Sequence, residues 1–246
     1  RHPHSGKAMT PLAIDLFCGL GGWTEGLLAE GYDVVGFDIE QHVYGEHRYP
    51  AQLVVQDVLT LHGSQFKRAA LIVASPPCQA YSWRAMPWKA AKAAPPPDNS
   101  LFAACFRIQR EACTAAGRHI PLVVETVRGA QPWVGRARWN FGSFYLWGDV
   151  PALMPMTKGG VKAPGMNWSN QELRGQDFTR IAGKHAVSEE GTKIGGDWFS
   201  DPTSTCRRHG SKSKARKAAS AAIAKIPLPL ARHIAATYKP LMEIAA

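Results

Sequence analysis

Short apolar runs, each closing on a polar or glycine-bearing turn, recur through the first half of the chain. Residues 11–17 (PLAIDLF), 33–37 (DVVGF), 53–55, 70–74 (ALIVA) and 121–124 (PLVV) have the length and β-branched content of buried strands. Helical spacing fills two of the gaps. Residues 23–30 carry it and close at Gly31, and Leu101, Cys105, Ile108 and Ala112 repeat it between a cap at Asp98 or Asn99 and a stop at Gly117. Strand and helix alternating in this way predict an α/β protein with a doubly wound, mostly parallel sheet. Such sheets bind ligands beyond the carboxyl ends of their strands. Those ends carry Gly19, Gly21 and Gly22, then Asp38, Asp57, the segment Ser75-Pro76-Pro77-Cys78, and Glu125. The chemically interesting residues of this half thus converge on one edge.

After about Arg128 the pattern breaks. Residues 149–210 are rich in glycine and proline with isolated tryptophans such as Trp168 and Trp198, which reads as a small irregular or β-rich insertion. Residues 211–225 (SKSKARKAASAAIAK) are alanine-rich and helix-prone with a basic start. Pro227 and Pro229 interrupt, and residues 230–238 resume as a helix. The 246 residues suffice for one α/β domain with a small appendage, and there is no internal repeat.

Composition narrows the setting. No apolar run reaches the ~20 residues that cross a bilayer, and the opening RHPHSGKA lacks the apolar stretch of a signal peptide. Residues 1–10 read as a flexible N-terminus or a cloning remnant ahead of Met9. Five cysteines, none in a C-x-x-C, suggest reduced thiols, a cytoplasmic setting and no structural metal. The net charge of +10 favours a polyanionic partner. Residues 58–97 hold five Lys/Arg and residues 202–242 hold nine, with no acid in either stretch. They are candidates for a phosphate-facing groove, Lys212, Lys214 and Arg216 among them, or simply a solvated basic surface.

Three motifs carry chemistry. In DLFCGLGG the glycines let a ligand approach the backbone, and Asp38, some twenty residues on, is placed to accept bonds from ribose hydroxyls. That spacing suits a dinucleotide or S-adenosylmethionine equally, and Asp38 could instead cap a helix. In SPPCQAYS two prolines fix the backbone before Cys78, and the acid-free, basic surroundings favour its thiolate. The alternative is an inert core thiol, the role expected of Cys18, Cys105 and Cys113. Glu125 closes an apolar strand, where a carboxyl can protonate or hydrogen-bond a ring nitrogen, or else cap a helix.

DLFCGLGG, FDIE, QDV, SPPCQAYS and VVETV, in this order, resemble the DNA cytosine-5 methyltransferase family over residues 11–148, and more faintly over residues 223–239. The resemblance implies a cofactor-binding and catalytic domain at 11–148, a small target-recognition region at 149–222 and a C-terminal return at 223–246. It implies S-adenosylmethionine as cofactor, with Phe17, Gly19, Leu20 and Gly21 along its methionine portion. Asp38 would hold the ribose, Ile39 and Val58 would flank the adenine, Asp57 would accept from its amino group, and Pro77 and Leu101 would complete the pocket. Cys78 would attack carbon 6 of a flipped-out cytosine while Glu125 holds the ring. Residues 79–97, with Gln79, Ser82, Arg84, Lys89 and Lys92, would form a loop closing over the base. The partner is double-stranded DNA, the protein is expected as a monomer, and the setting is a bacterial cytoplasm or phage-infected host, as in restriction-modification.

The sequence departs from the family at three places. Thr126 stands where asparagine usually follows the glutamate. It is expected near base and sulfonium, opening space for a larger transferable group. The later motif of glutamine and two arginines is reduced to GRAR, leaving Arg138, or Arg136, to polarise the cytosine carbonyl. The asparagine expected near the C-terminal return is missing. An RNA cytosine-5 methyltransferase is the nearest alternative, followed by a catalytically silent cofactor-binding module. A nicotinamide enzyme fits the glycine turn but leaves Cys78 and Glu125 without a shared purpose.

Overall fold

The computed structural model describes residues 10–81, 95–155 and 213–240, less 215–216, 219–220 and 222–223. The apolar runs form β1 (Leu12–Leu16), β2 (Asp33–Asp38), β5 (Gln52–Val55), β6 (Ala69–Ala74) and β7 (Leu122–Thr126), and the helical patterns form α1 (Gly22–Ala29) and α2 (Ser100–Ala116). Two hairpins add β3 (Val43–Tyr44) with β4 (His47–Arg48), and β8 (Trp139–Phe141) with β9 (Phe144–Gly148). A short α3 (Gln131–Val134) precedes β8, and α4 (Leu228–Tyr238) closes the described chain.

Seven strands make one sheet in the order β5-β2-β1-β6-β7-β9-β8. β5, β2, β1, β6 and β7 are parallel, and β9 runs antiparallel to both β7 and β8. The order reverses between β1 and β6, which opens a crevice at their carboxyl ends. The β8–β9 hairpin is a feature that the apolar pattern did not separate from the irregular region. β9 (FYLWG) has the composition of a strand, but a three-residue β8 gives too short a signal. Among the described residues no helix is long and apolar enough to cross a membrane.

Strand alternation sorts the core into two layers. Ile14, Leu16, Ile72, Leu122 and Val124 face α2, packing with Phe102, Cys105, Ile108 and Ala112. Ala13, Leu71, Val73 and Val123 face α1 and α4, packing with Trp23, Leu27, Leu230, Ala231 and Ile234. The contact of α1 with α4 is close because a Cβ at Gly26 would run into the side chain of Ala231. Polar ties frame it. Arg232 Nε meets Glu30 Oε1 at 2.7 Å, Lys225 Nζ meets Glu25 Oε1 at 2.5 Å, and the Tyr32 hydroxyl donates to the Ala235 carbonyl at 2.9 Å.

One acid breaks the apolar layer under α1. Asp15, in the middle of β1, is 1% exposed. The Thr24 hydroxyl donates to Asp15 Oδ2 at 2.6 Å, so the Tyr49 hydroxyl, 2.7 Å away, must donate to Thr24. Asp15 Oδ1 has no hydrogen-bond partner among the described residues. Burial pushes this carboxyl up to about 7 against the opposing Thr24 hydrogen bond, and the Asp38 charge adds to the rise. Its unfolded value is ~3.9. The penalty for burying it is therefore absent in acid, grows as pH climbs from ~4, and is complete above about 7. The full penalty is on the order of 4 kcal/mol, the unfolded-to-folded difference at 1.36 kcal/mol per pH unit. Denaturant unfolding of native protein and Asp15→Asn should show the variant gaining on the native chain as pH rises from ~5 to ~8. Parallel curves would mean that the Asp15 carboxyl does not change charge over this range.

Candidate active site

The turn after β1 has an unusual backbone. Phe17, Gly19 and Gly21 all lie in the left-handed region, at φ 57, 51 and 79. For Phe17 this conformation costs ~1–2 kcal/mol, and neighbouring strands hold it in place. Cys18 N–H donates to the Phe37 carbonyl at 3.1 Å, Gly19 N–H to Asp38 Oδ2 at 2.9 Å, and Gly21 N–H to the Cys18 carbonyl at 2.7 Å. Among the described residues, its chain neighbours aside, nothing lies within 4 Å of where a Cβ at Gly19 would stand. Backbone geometry, not crowding, requires glycine there, and the space beside it is open.

Asp38 is buried at the end of β2, 8% exposed. Burial works against its charge, but contacts from His42, the Gly19 N–H and the Glu40 N–H outweigh it and hold the carboxyl below the usual range. The third wall follows β6. Ser75 N–H donates to the Leu16 carbonyl at 3.1 Å, and Ser75 Oγ accepts from Trp23 Nε1 at 2.9 Å, fixing the start of the Pro-Pro-Cys segment against α1. Cys78 is half-buried. Three residues on, Tyr81 N–H donates to the Cys78 carbonyl at 3.0 Å, and the buried Tyr81 hydroxyl donates to Asn99 Oδ1 at 2.7 Å. Asn99 Nδ2 in turn reaches the Trp133 carbonyl at 3.4 Å. The turn that carries Cys78 is thus pinned to the start of α2 and to the segment that follows Glu125.

These walls enclose a cleft of about 540 Å³ lined by Phe17, Gly19, Leu20, Asp38, Ile39, Asp57, Val58, Pro77, Cys78, Gln79, Leu101 and Glu125. Glu125 is 7% exposed at the end of β7. The structure therefore brings together twelve residues that the sequence singled out, eleven from five separate turns and Leu101 from α2. Gly21 is the exception in its motif. It does not line the cleft but caps α1, backed by Tyr49 and Pro50. Asp57 serves two purposes, since its Oδ1 also accepts the Leu59 N–H at 2.9 Å.

The arginines expected at the base do not reach it. Arg136 and Arg138 are exposed and absent from the cleft, and Arg138 N–H donates to the Leu146 carbonyl at 2.9 Å on the approach to β8. β8 is separated from β7 by β9, so the GRAR segment enters the sheet one strand beyond the neighbour of Glu125. Thr126 also departs from expectation. Alternation along β7 turns it away from the side of Glu125, and it is 1% exposed, outside the cleft, with Oγ1 unpartnered among the described residues. It therefore does not line the cleft that holds Cys78 and Glu125. Lys214 lines an adjoining cleft with Arg48, His47 and Lys225, not the one with Cys78. Ser82, Arg84, Lys89, Lys92, Lys212, Arg216, Trp168 and Trp198 lie outside the described residues.

Sequence reasoning missed His42 and Tyr44 on the cleft wall, and it counted Lys217, on the same wall, only among the cations of a DNA-facing basic segment. His42 Nε2 lies 3.4 Å from Asp38 Oδ1, and its Nδ1 lies 3.4 Å from the Tyr44 hydroxyl and 3.6 Å from Glu40 Oε1. Its one sequence signal is its place four residues after Asp38, a spacing that means little outside a helix.

A mostly parallel sheet in this order, with its cleft at the β1/β6 switch point, is a Rossmann-like doubly wound fold. Residues 12–115 match the family model of C-5 cytosine-specific DNA methylases. The match takes in the glycine turn, Asp38, Asp57 and Cys78, and ends ahead of Glu125. Similar solved structures include a protein described as a DNA modification methyltransferase encoded within an E. coli prophage, with 23% identity over 51% of this chain and 35% of that chain, at a TM-score of 0.35. The Dnmt2 methyltransferase of S. pombe shares 16% identity over 50% of this chain and 36% of its own, at a TM-score of 0.34. A methyltransferase of Entamoeba histolytica shares 16% over 52% and 41%, at 0.36. The likeness thus spans little more than a third of the length of these proteins. No curated protein matches the chain.

The Tyr81–Asn99 bond makes a prediction. Tyr81→Phe removes only the hydroxyl and should lower stability by ~1 kcal/mol. It should also raise the rate at which Cys78 is alkylated, followed by peptide mass spectrometry. An unchanged rate at Cys78 would show that the bond does not hold this turn.

Proposed function

We propose that this protein transfers a methyl group from S-adenosylmethionine to carbon 5 of a cytosine in DNA, with Cys78 as nucleophile. The observation that carries the proposal is the convergence of Cys78, Glu125 and Asp38 on one cleft. A thiol and a buried carboxyl that share a cleft with a ribose-binding acid have a joint purpose in this chemistry.

The cleft suits the cofactor. Open space at Gly19 admits the methionine portion, the buried Asp38 carboxylate suits the ribose diol, and Ile39, Asp57 and Val58 suit an adenine. When bound, S-adenosylmethionine supplies an electrophilic methyl group on a sulfonium. Cys78 attacks carbon 6 of the base, and electron density moves to carbon 5. Glu125 holds ring nitrogen 3 and the exocyclic amine, stabilising the charge that develops there. Carbon 5 then takes the methyl group as the sulfur–methyl bond breaks, its electron pair staying on sulfur to leave a neutral thioether. Loss of the carbon 5 proton to a base restores the double bond and expels Cys78. A stacked cytosine cannot reach a half-buried thiol, so the target must leave the duplex. Residues 79–97 are proposed to close over it, with Gln79, Ser82 and Arg84 toward the DNA. Residues 149–222 are proposed to read the sequence. Arg136 and Arg138 could contribute only by moving to the cleft.

The test uses duplex DNA containing 5-fluorocytosine, in which fluorine blocks the final elimination. With S-adenosylmethionine the native protein should form a covalent adduct through Cys78, and Cys78→Ser should form none while still binding the cofactor. Normal turnover by Cys78→Ser would falsify the mechanism. Methylation of a transfer RNA and not of duplex DNA would reassign the substrate.

DNA binding should weaken with salt, and the log–log slope should flatten by ~1 for every phosphate that the protein no longer neutralises. Neutralising Lys212, Lys214 and Arg216 together should reduce that slope and weaken binding to all sequences alike. Lys217 is left intact because it lines the cofactor cleft. An unchanged slope would make the three cations a solvated face.

A further inference from the structure

Asp38 has two oxygens, and both are engaged. Oδ2 accepts the Gly19 N–H at 2.9 Å, which belongs to the turn itself. Oδ1 is held more loosely, by the Glu40 N–H at 3.4 Å and by His42 Nε2 at 3.4 Å. Oδ1, the oxygen that His42 faces, is the more loosely held of the two and the one a ribose diol displaces a partner from most readily. His42 itself stands on the cleft wall and is half-buried.

On the reading of this cleft as an S-adenosylmethionine site, we propose that His42 is a positioning residue for Asp38 that yields its carboxylate oxygen to the cofactor ribose, so that cofactor and proton compete at this place. With neutral His42, one ring nitrogen can accept from the Tyr44 hydroxyl while the other donates to Asp38. This keeps the carboxylate turned into the cleft without adding charge. Protonated His42 donates from both nitrogens and binds Asp38 as a cation, a stronger hold on the same oxygen.

The surrounding charges set the direction. Asp38 and Glu40 face His42 from its own loop, Tyr44 from β3, and Lys217 from the C-terminal segment. The contact with Asp38 outweighs burial and holds the imidazole above its ordinary value, with Lys217 opposing. S-adenosylmethionine carries a net positive charge from its sulfonium, ammonium and carboxylate. Its arrival therefore disfavours imidazolium twice, by taking the oxygen and by adding like charge. Proton release on binding follows by linkage, and affinity falls as pH falls through the His42 range.

The experiment is calorimetric titration of the full chain with S-adenosylmethionine from about pH 5.5 to 8.5, in buffers of different ionisation enthalpy, for native protein and His42→Asn. The cofactor's own amino group titrates identically in both, so the difference between them isolates His42. Between about pH 8 and pH 6 the native protein should lose at least about fivefold more affinity than the variant, the lower end of ordinary coupling. It should also release a proton fraction that the variant does not. His42→Gln replaces the first variant if that does not fold. Parallel affinity profiles, or equal proton release, would overturn the role of His42 while leaving the methyltransferase reading intact. No binding at any pH would overturn both.

Discussion

Four hydrogen bonds at the carboxyl ends of β1, β2 and β6 hold the working edge of this protein together. Ser75 N–H to Leu16, Cys18 N–H to Phe37, Gly19 N–H to Asp38 and Trp23 Nε1 to Ser75 lash three strand ends and the first turn of α1 to one another. The left-handed backbone at Phe17 depends on these bonds, since without them the residue would relax to an ordinary conformation. So does the placing of the Pro-Pro-Cys segment, which leaves β6 from Ser75. The sheet provides the crevice, but the lashing decides which groups point into it.

Two acids beneath this edge show how environment divides identical chemistry. Asp15 and Asp38 end or interrupt neighbouring strands, and each is less than a tenth exposed. Among the described residues Asp15 has one hydroxyl partner and an oxygen without one, and burial pushes it up to about 7. Asp38 gathers backbone donors and an imidazole and stays charged. The first gives up its charge readily under α1, while the second keeps a carboxylate on the cleft wall. Neither fate is visible in the letter D.

Much of the fold is legible in the sequence because parallel strands buried on both faces announce themselves as continuous apolar runs. The five parallel strands, α1, α2 and α4 follow from that signal, and the convergence of Cys78 with Glu125 follows from their order. Other features leave weaker traces. A two-residue hairpin strand has no periodicity, so β3–β4 and the His42–Tyr44 wall it supports are unreadable. Thr126 is misplaced when chain adjacency to Glu125 is taken for spatial adjacency, whereas strand alternation sends neighbours to opposite faces. Likeness to a motif says little about Arg136 and Arg138, because the register of β8 on β9 decides their position instead.

The contact between α1 and α4 joins residues some two hundred positions apart, as the bond from Tyr32 to Ala235 shows. The chain on either side of residues 149–224 thus returns to one sheet. Closing such a span grows more costly only with the logarithm of its length, about 0.6 kcal/mol for each doubling. A lineage could exchange, lengthen or trim this part of the chain with little penalty to the sheet and its helices. The glycine at position 26, which admits α4 so closely, would in this way help keep one part of the gene free to vary while the rest stays fixed.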